Sequence, residues 1–141
     1  MEYGGHEIIY MIYLTYVHSR PFGPYIIPIS VQSTFLKSYC ESNLITYSLP
    51  VTEYTLPSCY FSLARLLEDQ TSSESKIVLL VTSMYIFQEL SDSMSAYQLL
   101  SMNNIPICCV LERLTADIDG VMSQLEQTAY YDSLAIQSAV L

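Results

Sequence analysis

Lys76-Ile-Val-Leu-Leu-Val-Thr82 decides how this chain folds. Five consecutive apolar residues make a run too short for a helix, and it lacks the alternation of a half-solvated strand. It therefore reads as a strand buried on both faces, the kind found in parallel sheets covered by helices. Working outward, Ile8-Ile-Tyr-Met-Ile-Tyr-Leu-Thr-Tyr-Val17 has the same character and is rich in β-branched and aromatic residues. Ile107-Cys-Cys-Val-Leu111 follows Pro106 as a third strand, and Leu44 to Ser48 reads as a short fourth. Helical spacing fills the gaps. Ser30 is placed to cap a helix over Val31 to Glu41, with Val31, Phe35 and Tyr39 on one face, Leu36 and Cys40 beside them, and Asn43 closing it. Ser58 precedes a helix over Cys59 to Asp69, with Cys59, Leu63, Leu66 and Leu67 inward. Residues 85–102 carry Ile86, Leu90, Met94, Tyr97 and Leu100 and stop at Asn103 and Asn104. Thr115 is the expected cap of a helix over Ala116 to Gln127, with Ile118, Val121, Met122 and Leu125 inward, and residues 129–141 read as a short strand and a last helix. Alternating strands and helices joined by right-handed crossovers predict an α/β, flavodoxin-like three-layer sandwich with a four- to five-stranded parallel sheet. Neither a repeat nor a linker divides residues 1–141, so one domain is expected.

Composition narrows the function. The 141 residues are 51% hydrophobic and 13% charged, with a net charge of −9 and only Arg20, Lys37, Arg65, Lys76 and Arg113 basic. Such a surface repels phosphate backbones and anionic lipid, so neither nucleic acid nor membrane insertion is expected. A protein partner, another copy of the chain, or both remain. The longest apolar run is half the length of a bilayer span, about 20 residues. Met-Glu-Tyr-Gly-Gly-His at the start lacks the basic region of a secretory signal. Cys40, Cys59, Cys108 and Cys109 form no Cys-x-x-Cys pair, which points to free thiols in the cytoplasm and to no metal site. Thirteen tyrosines put some rings near the surface, as in protein contact faces.

Signs of chemistry are few. Gly4, Gly5, Gly23 and Gly120 form no glycine-rich turn between a strand and a helix, so phosphate-cradling nucleotide sites are excluded and no cofactor is expected. His18 directly follows the first strand, where α/β proteins place their sites. Ser83 ends the 77–82 strand, so a Ser83 nucleophile with His18 as base is geometrically conceivable. Its surround, Val81-Thr-Ser-Met-Tyr85, lacks the Gly-x-Ser-x-Gly elbow, and Ser83 reads equally as a helix cap. His18, Ser19 and Arg20 stand where a phosphoryl-transfer site needs a carboxylate pair, and Asp117 and Asp119 suit the positive start of a helix. Of three Tyr-x-x-Leu tetrapeptides, those starting at Tyr60 and Tyr97 fall in expected helices; only Tyr131 to Leu134 remains as a docking motif.

The order of the pieces resembles the TIR domain. Tyr10-Met-Ile-Tyr-Leu-Thr-Tyr-Val-His-Ser19 is similar to its first strand and the turn after it. Ser75-Lys-Ile-Val-Leu-Leu-Val-Thr-Ser-Met-Tyr85 resembles the strand followed by Ser-x-x-Tyr, and Ile105-Pro-Ile-Cys-Cys-Val-Leu111 the next strand. Leu125 to Asp132 echoes the approach to the last one. The NAD-cleaving members carry a Glu in a Trp-Cys-x-x-Glu setting. This chain has no Trp, and Ser93 to Gln98 has no carboxylate, Glu89 and Asp92 lying about a turn early. The Arg-Asp-x-x-Pro-Gly loop is also absent. The resemblance thus implies an adaptor-type domain like those of B-cell adaptor proteins: a non-catalytic signalling adaptor or scaffold. The alternative is an NAD-consuming or other hydrolase with a displaced carboxylate, using Glu89, Ser83 and His18.

Leu49-Pro-Val-Thr-Glu-Tyr-Thr-Leu-Pro57, between the second strand and second helix, is the expected contact surface, with Pro50, Val51, Glu53, Tyr54 and Pro57 binding the partner. The competing reading has Val51 and Leu56 folding back as an edge strand, with Tyr54 capping the core.

Overall fold

The computed structural model describes residues 11–54, 59–71 and 75–140. Its elements run β1 (Met11–His18), α1 (Ile29–Ser42), β2 (Val51–Glu53), α2 (Phe61–Thr71), β3 (Lys76–Val81), a 3-10 turn (Met84–Phe87), α3 (Ser95–Met102), β4 (Ile107–Cys109), β5 (Leu114–Ala116) and α4 (Ile118–Val140). The sheet order is β2-β1-β3-β4-β5. The first four strands are mutually parallel, and β5 returns antiparallel to β4. This is the α/β, flavodoxin-like sandwich predicted, its parallel sheet extended by one antiparallel edge. Side chains alternate across it. Leu14, Tyr16, Leu79, Val81, Ile107 and Cys109 join the larger core, with Leu63 and Leu67 of α2, Leu100 of α3 and Ile118 and Val121 of α4. Val17, Val78, Leu80 and Cys108 face the other way, onto Leu36 and Cys40 of α1.

Several expectations need correction. Ser30 lies inside α1 and does not cap it; Pro28 holds that position, and no side chain bonds the first turn. The inward face is Gln32, Leu36 and Cys40 rather than the more apolar stripe of Val31, Phe35 and Tyr39. Gln32 wins the interior because its amide closes the end of β1. It accepts from the His18 N–H at 3.1 Å and donates to the carbonyls of His18 at 2.7 Å and Ile27 at 2.8 Å. A buried amide so satisfied costs little.

Leu44 to Ser48 is not a strand. After Asn43, Leu44 takes the left-handed conformation at φ 56°, and the Ile45 N–H reaches back to the Cys40 carbonyl at 2.8 Å. This is the Schellman closure of a helix, and it turns the chain away from the sheet. The second strand is Val51–Glu53 instead, inside the stretch expected to be a loop. Leu56, Pro57 and the Ser58 cap lie outside the described residues, as do Ile8 to Tyr10 of the first strand.

Residues 85–102 do not form one helix either. Ser83 starts only the short 3-10 turn, its hydroxyl accepting from the Tyr85 N–H at 3.2 Å. Ser91, Asp92 and Ser93, residue types that favour turns over helix interiors, then divert the chain, and the Ser91 and Ser93 hydroxyls bond each other at 3.0 Å. Glu89 sits in that turn region and not on a helix. Thr115 pairs with Cys108 in β5 and caps nothing. Asp117 takes the capping role, its carboxylate accepting from the Gly120 N–H at 2.8 Å. The region past Ala129, expected to be mixed, continues as α4. No helix among the described residues is long and apolar enough to cross a membrane.

Candidate functional site

β1 leads through α1 to β2 on one side, and β3 leads through α3 to β4 on the other, so the connections diverge between β1 and β3. In open α/β sheets this divergence opens a crevice at the carboxyl ends of the strands. Here it is a cleft of about 200 Å³ lined by His18, Arg20, Pro21, Phe22, Tyr60, Tyr85, Ile86, Gln88 and Glu89. One wall is the bend after β1, where Phe22 and Tyr25 exchange backbone hydrogen bonds at 3.1 Å. Gly23 is required in that bend. Its φ is +59°, and a Cβ there would come within 2.4 Å of the Tyr85 ring.

The structure brings His18 and Glu89 to this cleft and keeps Ser83 out of its lining. Ser83 is fully buried, and its hydroxyl donates to the Glu112 carboxylate at 2.7 Å. The other Glu112 oxygen accepts from the Met84 N–H at 2.6 Å. Ser83 is thus the hinge pin of the turn after β3. Nor is His18 poised as its base. The Nδ1 atom accepts from the Arg20 N–H at 3.3 Å, and the ring also bonds the Cys59 backbone. Burial pushes the imidazole below its usual value, while the Cys59 bond and the Glu53 charge oppose the shift. The ring packs between Tyr16 and Tyr60, its centroid 6.4 and 6.2 Å from theirs.

Beside the cleft lies the residue that sequence reasoning placed wrongly. Glu53 was expected on an exposed loop, yet it is 2% exposed at the end of β2. One carboxylate oxygen accepts from the Tyr16 hydroxyl at 2.9 Å and from the N–H groups of Ser62 at 3.1 Å and Leu63 at 3.3 Å. The other accepts from Ser62 at 3.1 Å and from the Cys59 thiol at 3.7 Å. The first turn of α2 contains no acidic residue of its own. Glu53 therefore supplies the negative charge and the acceptors that a helix start needs, from a neighbouring strand. Burial and the adjacent Glu53 charge push the Tyr16 phenol far above its ordinary value, so it stays a donor.

Of the other expected contact residues, Pro50 and Val51 are half-buried, Tyr54 is exposed, and Pro57 lies outside the described residues. Phe61, which the sequence did not single out, is also exposed. The adjacency of Glu53 and Ser62 brings Tyr54 and Phe61 out at the same end of the sheet. No family model, curated protein or solved structure matches the chain. Among the described residues, no group of three His, Cys, Asp or Glu side chains is arranged to hold a metal ion.

Proposed function

We propose that the chain is a non-catalytic protein–protein interaction domain, a TIR-like signalling adaptor or scaffold of the cytoplasm that acts through partner binding or self-association. The observation that carries this reading is the platform at the end of β2. Tyr54, 72% exposed, and Phe61, 82% exposed, stand beside the junction where the Glu53 carboxylate ties the end of β2 to the start of α2. Aromatic anchors on a pre-ordered backbone lose little entropy on binding and are the side chains that dominate interfaces. The groups a hydrolase would use support the same reading, since Ser83 is spent on Glu112 and His18 on the backbone.

A second reading keeps one supporting fact. Glu89 and His18 share the cleft between β1 and β3, where a displaced carboxylate of an NAD-consuming or other hydrolase would act.

The test is a Tyr54→Ala, Phe61→Ser double change, with Glu53 left intact because it is structural. Both side chains are exposed, so circular dichroism and the melting temperature stay unchanged. Partner recovery in pull-downs, with particle mass followed by light scattering, falls at least tenfold. An intact fold with unchanged recovery refutes the platform. NAD turnover by the same preparation that vanishes in Glu89→Ala turns the choice to the second reading.

A further inference from the structure

Opposite charges meet in the cleft between β1 and β3. Arg20 follows β1 and Glu89 follows β3, so a cation and an anion reach one concave site from the two strands that flank the divergence. Burial above all keeps the His18 imidazole below its usual value; Arg20 lowers it further and Glu89 raises it. Both charges therefore act on one ring that is itself neutral, and they are the two charged side chains of the lining. The walls are aromatic and set in advance. Phe22 is buried in the bend after β1, its ring centroid 6.3 Å from that of Tyr25, which meets Tyr85 at 5.8 Å. The Tyr60 hydroxyl donates to the Ile86 carbonyl at 2.7 Å and ties the segment leading to Glu89 to the residue before α2. Walls already fixed spare a small ligand the cost of ordering them.

From this geometry we infer that the cleft binds a free α-amino acid with an apolar side chain, its carboxylate on Arg20, its ammonium on Glu89 and its side chain against Phe22, Tyr85 and Ile86.

Charge selects a zwitterion. Arg20 and Glu89 both have partners within the fold, so a ligand has to replace whatever it displaces. An anion alone would satisfy Arg20 while facing the Glu89 carboxylate, and a cation alone would meet the reverse. A zwitterion gives each side chain a partner of opposite sign, and a charge left without one in a confined site is costly. The net charge of −9 disfavours free anions, whereas a molecule of zero net charge is indifferent to it. Size selects the amino acid. The cleft holds about 200 Å³, below the roughly 300–1,000 Å³ of drug-sized sites. At about 30 Å³ per water this is room for roughly seven waters, or for a ligand on the order of eight to ten non-hydrogen atoms. Valine, leucine and methionine are of that size. A dinucleotide is several times too large to be enclosed, so this ligand is not the substrate of an NAD-consuming enzyme.

The inference does not rest on the platform of Tyr54 and Phe61, and it gives the cleft binding without turnover. The experiment is isothermal titration calorimetry on the full chain with L-valine, L-leucine and L-methionine. Beside them run isocaproate, which is leucine without its ammonium, isoamylamine, which is leucine without its carboxylate, and glycine, which lacks the apolar side chain. Saturable one-to-one binding of at least one of the three amino acids is expected. Isocaproate, isoamylamine and glycine bind roughly tenfold more weakly or worse, as the loss of a hydrogen bond to a charged group requires. Arg20→Gln and Glu89→Gln, both at exposed positions, keep their circular dichroism and each weaken the amino acid by a similar factor. Absence of saturable binding by all three amino acids overturns the proposal, as does isocaproate or isoamylamine binding as tightly as leucine. Those arms use the wild-type chain, so they decide the matter even where a variant loses its fold. Unchanged affinity in both Arg20→Gln and Glu89→Gln also overturns it. Affinity is expected to be unchanged in Tyr54→Ala, Phe61→Ser; a loss there moves the ligand to the platform and refutes the cleft. Failure of the platform reading shows instead in partner recovery, which these titrations leave untouched.

Discussion

Replacing Glu53 with alanine removes the acceptor from the weak Cys59 thiol donor and from three stronger ones: the Tyr16 hydroxyl and the backbone N–H groups of Ser62 and Leu63. All three sit where β2 meets the start of α2, at a residue that is 2% exposed, so water does not readily replace the carboxylate. An orphaned buried donor costs about 1–3 kcal/mol, and losing a helix cap about 1 kcal/mol. Because the donors share one acceptor these costs overlap, and the expected loss is about 3–5 kcal/mol. That is a large part of the 5–15 kcal/mol typical of a domain. Glu53→Gln keeps one carbonyl oxygen but turns an N–H₂ toward the amides of α2, and costs about 2 kcal/mol. Tyr16→Phe removes one donor and leaves the carboxylate its backbone partners, costing about 1 kcal/mol. Urea unfolding followed by circular dichroism reads all three, with the slope against denaturant unchanged. Combining Tyr16→Phe with Glu53→Ala should cost clearly less than the sum of the two, since both remove the same bond. A Glu53→Ala protein within about 1 kcal/mol of wild type would refute the assignment of Glu53 as the cap of α2.

Two further outcomes follow from single residues. Leu44 holds the left-handed position of a Schellman closure while 97% exposed, so Leu44→Gly relieves backbone strain and loses no packing. It should stabilise the fold by about 0.5–1 kcal/mol, and a lower midpoint in urea would contradict the closure described. Burial keeps the His18 ring neutral in the fold, so the folded state binds fewer protons than the unfolded chain below the ordinary histidine value of 6.5. Its contribution is complete above that pH and is lost as pH falls toward the lowered folded value. The melting temperature of the wild type should therefore drop more between about pH 7.5 and pH 5.5 than that of His18→Gln; equal slopes would show the ring is not held neutral.

The central architecture was legible because β1, β3 and β4 are apolar on both faces, a pattern that few other structures require. What failed to show shares a physical cause: it depended on a polar group satisfied at long range. Gln32 looks like a surface residue until the backbone of His18 and Ile27 is placed beside it. Glu53 looks like a loop charge until Tyr16 and the start of α2 converge on it, from 37 and 9 positions away. A glutamate three residues past Pro50, at the end of a short β-branched stretch, is the one local hint that this was a strand end. Short pieces escaped for another reason. β5 spans only Leu114–Ala116, and the turn before it places Arg113 at φ 55° with no glycine to announce it. Asn104 at φ 48° marked the end of α3 correctly, because Asn tolerates that conformation; Leu44, in the same role, gave no warning. At the cleft, His18 was legible because it directly follows a strand and Glu89 only through the family resemblance, whereas the engagement of Ser83 with Glu112 depends on a turn 29 positions away.

The pairing of β1 with β3 also sets a timetable for synthesis. Met11 aligns with Lys76 and Tyr16 with Val81, a constant separation that no local hairpin shortens. At about 5–20 residues per second, the ribosome needs roughly 3–13 seconds to deliver the neighbour of each β1 residue. During that interval β1 has no partner on its inner side, and its apolar edge is open to other chains. Crowded expression should therefore penalise the nascent chain more than the finished fold, and a factor that shields the first strand should raise the yield of soluble protein without altering its stability.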